Sequence, residues 1–320
     1  MIDPTVTVVI PTYNRPEFLK RAIISVLNQK YDSFEIVVVV DGQSDATEKM
    51  VEHIKTTTIE SISLVQTIEK VGGSQSRNIG VQEAKGKYIA FLDDDDEWFG
   101  NKLREQINLI DQYNFTDSTP FLCFTSLLRY KDAENKQYSQ LPNVNYEESK
   151  EKRLADYLFK TSHLRNIGFI QTSTVIVPKW LALQSPFTKG LLKHQDWDWL
   201  LKLDREHDLK VIQIEEPQII YHSDVPKNSR IGYINRWPFT EQWGNDHRND
   251  FSKQGYESFL LNYVMLGIAE DQRLTLIERI KKIGSRWYRL SLRTKIRPYT
   301  WKMIVYFSAA IKNNKVQRTT

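Results

Sequence analysis

Four short apolar runs, separated by stretches of helical period, occupy residues 5–92 and limit the chain to a layered α/β architecture. Thr5–Ile10 (TVTVVI) and Phe34–Val40 (FEIVVVV) are largely apolar and β-branched, as strands buried on both faces should be. ISLVQT (62–67) and YIAFL (88–92) are the other two runs. Pro16–Gln29 follows the first, with Phe18, Leu19, Ala22, Ile23, Val26 and Leu27 drawing one apolar stripe along a helix. A second helix is expected from Asp45, a good N-cap residue. GGSQSRNIGVQEA (72–84) reads as a loop opening a third helix, with Gly86 closing it. Strands joined through helices form a parallel sheet with right-handed crossovers.

Beyond Tyr113 the pattern loosens. FLCFTSLLRY and TSTVIVP read as strands, and the polar stretch Lys131–Lys152 between them reads as a loop with the start of a helix. HQDWDWLLKLDRE predicts an amphipathic helix, and LKVIQI a strand after it. From Val225 onward aromatic-rich loops give way to basic helical sequence. A domain boundary is placed there, dividing the chain into 1–224 and a C-terminal extension, 225–320.

The single cysteine, Cys123, lies in an apolar run and cannot form an internal disulfide, and no cysteine pair has metal-binding spacing. The N-terminus lacks the basic and apolar regions of a signal peptide, so a cytoplasmic location is expected. Met303–Ile311, the longest late apolar stretch, is about half of the ~20 residues a membrane span needs. Charge is uneven: from Gln272 to the end, thirteen Lys or Arg face one acid, Glu278, for a net +12. The whole chain carries +4, so the rest is near −8.

Chemistry concentrates where the strands end. Asp93–Asp96 follows an apolar strand directly, and adjacent carboxylates repel unless a cation compensates them. Such a run is either a site for Mg²⁺ or Mn²⁺, which take oxygen ligands, or a solvated acidic turn. Asp41 ends the second strand and could hold a nucleobase or ribose, or simply form the turn before Gly42. Pro11 and Tyr13 end the first strand, where Tyr13 would stack on a base or stand as a surface aromatic. Arg77 has two readings, a phosphate ligand or an ion pair with the acidic run.

Taken together, VVIPTYNRPEFLKRAIISVLNQ, FEIVVVVDGQSDAT, GGSQSRNIGVQEAKGKYIAFLDDDDEW and HQDWDWLLKL resemble the inverting family-2 glycosyltransferases of GT-A fold, over Val6–His222. The resemblance implies a Rossmann-like, mostly parallel sheet flanked by helices, with the helical, basic C-terminal region as an extension. It implies a nucleoside-diphosphate sugar donor and a saccharide or lipid-linked saccharide acceptor, with no nucleic acid partner. Pro11, Tyr13, Asp41, Arg77, Asp93 and Asp94 would line the donor site, although Val40 stands where the family often has a first acid. Asp95 would close the metal-binding Asp-x-Asp pattern, Asp94 and Asp96 supporting it. His222 would approach the metal or phosphates unless its role is structural. Asp196 would be the catalytic base, the competing role being a helix cap; Gln195 replaces the commoner Glu before it. Trp197 and Trp199 would shape the acceptor site or pack the helix.

Other enzymes of similar architecture fit poorly. No glycine-rich phosphate loop follows the first strand, and no G-x-G-x-x-G is present. A non-catalytic sugar-nucleotide binder of the same fold is the remaining alternative. The basic C-terminal region, with its interleaved aromatics, is expected either to dock on the anionic inner face of the plasma membrane or to form a lid or dimer surface.

Overall fold

The computed structural model describes residues 4–132, 137–162, 165–222 and 234–316. They pack as two units, Met1–Pro142 with Ile170–Val225, and Asn143–Phe169 with Pro226–Thr320. The sequence reading placed 143–169 with the first region, whereas these residues pack with the second unit. The boundary at 224/225 lies within 223–233, outside the described residues.

The first unit begins with β1 (Val6–Thr12), α1 (Pro16–Leu27), β2 (Phe34–Val40), α2 (Asp45–Lys55), β3 (Ser61–Gln66), α3 (Gly73–Glu83) and β4 (Tyr88–Phe91). It continues through β5 (Glu97–Trp98), α4 (Lys102–Gln112), β6 (Phe121–Asp132), β7 (Gln137–Leu141), β8 (Ile176–Pro178), α5 (Lys179–Gln184), α6 (Gln195–Glu206) and β9 (Lys210–His222). Among the described residues nine strands form one sheet, ordered β3-β2-β1-β4-β8-β6-β9-β5, with β7 paired to β6. β1 pairs in parallel with both β2 and β4. β8 lies antiparallel between β4 and β6, so the sheet is mixed beyond the parallel first half.

All seven residues of β2 are buried, which explains its apolar sequence apart from Glu35, whose carboxylate accepts the Thr7 hydroxyl at 2.7 Å. α1 buries Leu19, Ala22, Ile23 and Val26. Several local expectations are corrected. Ser44, not Asp45, caps α2, its side chain accepting the Thr47 N–H. Gly86 does not close α3; it lets the chain pass β1, where a Cβ would stand 2.5 Å from the Thr7 nitrogen. TSTVIVP opens as a 3₁₀ turn (Thr172–Thr174) and is a strand only in its second half, β8, and the polar stretch after Lys131 contains β7, which among the described residues is paired only to β6 and so tolerates polar residues.

The chain leaves β1 for β2 on one side and returns to β4 on the other. The strand order therefore reverses between β1 and β4, the place where open α/β sheets bind ligands beyond the carboxyl ends of their strands.

The second unit is mostly helical. Phe159, in the helix Leu154–Phe159, packs at ring-centroid distances of 5.2 and 5.3 Å on Phe251 and Phe259. Asp156 accepts the Ser252 N–H (3.1 Å) and hydroxyl (2.7 Å), tying this segment to the later helices. Those helices are α7 (Trp237–Asp246), α8 (Lys253–Phe259), which runs on through a π-helical turn to Glu270, α9 (Leu276–Arg289) and α10 (Pro298–Val316).

Candidate active site

The ends of β1, β2 and β4 bring most of the singled-out residues of the first unit to one edge. The Asp41 N–H donates to the Thr12 carbonyl at 2.8 Å, joining the ends of β1 and β2. The buried Asp41 carboxylate accepts N–H bonds from Val71 (2.6 Å) and Gly72 (3.1 Å). It thus holds the loop that opens α3. Tyr13 is half exposed, with Lys70 Nζ 3.6 Å from its ring centroid. Lys70 carried no signal in the sequence, since a lysine in a polar loop is ordinary.

The acidic run divides by alternation. Asp94 and Asp96 are buried, whereas the side chains of Asp93 and Asp95 keep 24% and 15% exposure. Asp94 accepts from the Thr12 hydroxyl at 2.7 Å and from Arg15 Nε and Nη2 at 3.1 and 2.5 Å. Burial still pushes its carboxyl up to about 7, against the pull of Arg15. Asp96 accepts from Gln171 Nε2 (2.9 Å) and the Ser173 hydroxyl (2.7 Å). Burial, then the charges of Asp95 and Asp93, push the Asp96 carboxyl well above the usual carboxylate range. Arg15 also reaches Asp95 at 3.3 Å, and Arg21 Nη2 donates to the Asp95 carbonyl at 2.7 Å.

Arg77 joins this run to α6. Its buried guanidinium donates to Asp93 Oδ1 at 2.5 Å and to Gln195 Oε1 at 3.1 Å. Gly73 permits that meeting, because a Cβ there would stand 3.0 Å from Gln195 Oε1 and 3.3 Å from Arg77 Nη1. Asp196 follows Gln195 in the first turn of α6. Burial pushes its carboxyl up to about 6; the Arg77 charge opposes the rise and the Asp93 charge adds to it. Asp198, two residues on, is buried. Trp199 is a packing residue, stacked 4.4 Å from Phe187 and donating its ring N–H to the Ser185 carbonyl at 2.8 Å. Trp197 remains half-buried, stacked on His194 at 4.4 Å.

His222 is placed by Glu97. Its Nε2 lies 2.6 Å from Glu97 Oε1, and its ring stacks 5.6 Å from Tyr130. Glu97 in turn lies 3.3 Å from Arg21 Nε, so His222 connects to the Asp95 segment through two side chains. Among the described residues no three His, Cys, Asp or Glu side chains form a metal cage by themselves. A hard divalent ion shared with phosphates needs only one or two carboxylates, and the partly exposed pair Asp93 and Asp95 meets that requirement.

Sequence reasoning passed over Arg15, Arg21 and the segment Gln171–Ser173. Arg15 had a signal: a cation just beyond β1, on the same edge as a run of four acids. Gln171 and Ser173 had none, since only the sheet's folding brings them 75 or more positions back along the chain to Asp96.

Comparison with known proteins follows the same lines. The family model described as Glycosyl transferase family 2 matches residues 7–172. The chain is 31% identical over 224 residues to the amylovoran biosynthesis glycosyltransferase AmsB of Erwinia amylovora, covering 69% of this chain and 71% of that protein. Its fold is similar to residues 1–349 of S. aureus TarS, solved with UDP-GlcNAc (TM-score 0.61, 17% identity, 97% of this chain and 89% of that one). It is also similar to a mannosyltransferase from Pyrobaculum calidifontis, solved with GDP-Man and Mn²⁺ (TM-score 0.53, 17% identity, 98% of this chain and 87% of that one).

Proposed function

This chain belongs to glycosyl transferase family 2 and is a glycosyltransferase; from that premise we propose that it moves a sugar from a nucleoside-diphosphate donor to a hydroxyl acceptor, with inversion, during polysaccharide or glycoconjugate synthesis. The observation that carries the reading is the Arg77 bridge, which ties Asp93 on the donor edge to Gln195, the neighbour of Asp196. The amylovoran relative supports the polysaccharide setting, and the complexes of the two structural neighbours support a nucleotide-sugar donor.

In this reading Tyr13 stacks on the base while Asp41 holds the loop beneath it. Asp93 and Asp95 would hold Mn²⁺ or Mg²⁺ against the donor's diphosphate. A divalent ion there offsets the negative charge that grows on the leaving group. Asp94 and Asp96 support that pair from behind, and His222 steadies the Asp95 segment through Glu97 and Arg21. Asp196 takes the proton of the acceptor hydroxyl as its oxygen attacks the anomeric carbon. Its raised pKa suits a base better than an ordinary aspartate would. Arg77 keeps Asp196 ionised near neutral pH by countering burial.

Thermal shifts with nucleoside diphosphates and their sugars, in the presence of Mn²⁺, identify the donor, because a ligand that binds only the native state raises Tm. Release of the nucleoside diphosphate then measures turnover. Asp95→Ala is expected to abolish most turnover while leaving Tm nearly unchanged. Full wild-type activity in excess EDTA overturns the metal assignment, and a donor that binds but is never consumed returns the protein to the binder reading.

A further inference from the structure

We infer that α9 and the turn after it dock the protein on an anionic lipid surface through a helix face turned outward. The polarity of α9 runs opposite to that of a helix packed on a core. Ile277, Ile280, Gly284 and Tyr288 fall on one face at helical spacing, and the three large side chains are 65%, 56% and 86% exposed. The opposite face carries cations that turn inward. Arg279 is buried and donates to the Leu274 carbonyl at 3.1 Å. Arg286 pairs with Glu241 at 2.6 Å, and both Lys282 and Arg286 lie over the Trp237 ring at 5.3 and 5.6 Å. A helix packed on a core by its apolar stripe would bury the isoleucines and expose the arginines. Here the cations are satisfied within the unit and the apolar stripe is left for an external partner.

The surroundings say which partner. Leu292 (74% exposed) and Ile296 (66% exposed) continue the apolar surface after α9, and Trp301 adds an exposed aromatic on α10. Lys281, Arg289, Arg293 and Lys302 are exposed among them. Aliphatic and aromatic side chains interleaved with cations are what an interfacial helix presents to lipid. No helix among the described residues is long and apolar enough to cross a membrane, so the contact lies in the interface plane. A second copy of this chain is disfavoured as the occupant, since it would set one +12 segment against another. A polyanion such as nucleic acid would answer the charge but leave the isoleucines uncovered. The inference does not depend on the identity of the donor or acceptor.

Co-sedimentation of the full chain with vesicles tests it. At low salt the protein is expected to pellet at least about tenfold more strongly with phosphatidylcholine–phosphatidylglycerol vesicles than with phosphatidylcholine alone, and salt should reduce the difference. Ile277→Ser combined with Ile280→Ser should lose about tenfold or more of that binding with Tm unchanged, because both side chains are exposed. Lys281→Glu with Arg293→Glu should weaken binding and remove its salt sensitivity. Equal recovery on both vesicle types overturns the proposal, as does a double serine variant that pellets like the wild type. So does a lipid-free dimer that the double serine variant converts to monomer, which would make a second copy the occupant.

Discussion

Helices α6 and α9 carry the same kind of amphipathic sequence and place it in opposite senses. In α6 the apolar residues Trp199, Leu200, Leu201 and Leu203 are buried, and the first turn brings Asp196 beside Arg77 and Asp93. In α9 the apolar stripe is exposed, and Arg279, Lys282 and Arg286 face the unit. A 3.6-residue period says that a helix has two faces but not which face meets protein. That is decided by partners distant in sequence: Phe187 and Ser185 for Trp199, Trp237 and Glu241 for the α9 cations. One helix buries its apolar residues and so fixes Asp196 in place; the other leaves Ile277, Ile280 and Tyr288 exposed.

The largest expected effect sharpens the functional side of that comparison. Asp196→Asn should reduce the single-turnover transfer rate by about 10² to 10⁴ while leaving donor affinity nearly intact, as removal of a general base does. Asp198→Asn is the internal control, since a step of two residues turns it about 200° around the helix. Quench-flow transfer measured beside donor titration separates the two. An inactive Asp198→Asn alongside a wild-type rate for Asp196→Asn would move the base two residues along.

Next in size is the packing that holds α6 in place. Leu203→Ala should lower unfolding free energy by about 2–5 kcal/mol, because Leu203 is fully buried and its removal leaves a cavity. Denaturant titration with an unchanged m-value reads it directly.

How much of this was legible beforehand follows the same division between local pattern and distant partner. The parallel half of the sheet could be read because its strands are short runs dominated by apolar residues and α1 carries an apolar stripe that buries locally. Asp93–Asp96 and Asp196 stood out through residue type and position at strand or helix ends. The alternation within the acidic run did not, because it depends on Thr12, Arg15, Gln171 and Ser173 approaching from other elements. Arg77 has two readings in the sequence, and the structure shows its ion pair with Asp93. The packing of 143–169 with the second unit was hidden for a similar reason: it rests on Asp156 meeting Ser252 and on Phe159 meeting Phe251 and Phe259. The basic sequence of the C-terminal region was plain, but not that three of its cations turn inward.

A smaller effect comes from pH. Burial pushes the Asp196 carboxyl up to about 6, and in the proposed role it acts as the carboxylate, so kcat/KM should fall as pH drops below about 6, approaching roughly tenfold per unit. The sign follows from the cause: burial favours the protonated form, and protonation removes the base. Because Arg77 opposes that burial, Arg77→Met should move the acidic limb to higher pH. A limb that stays in place in the variant would separate Arg77 from the titration of Asp196.

The smallest expected effect is the most direct way to break the comparison between the two helices. Ile280→Ser in α9 should change unfolding free energy by less than about 0.5 kcal/mol, as surface substitutions away from caps and networks usually do. Ile280 is 56% exposed, and isoleucine and serine have similar helix propensities, so neither packing nor backbone preference supplies a large term. Leu203→Ala measured in parallel gives the scale of a covered position. Should Ile280→Ser instead cost 2 kcal/mol or more, the stripe is covered in solution, and α9 is packed in the same sense as α6. Repeating the titration over a tenfold range of protein concentration then identifies the cover. A cost that grows with concentration points to a second copy, because association stabilises by mass action, whereas a constant cost points to this chain itself.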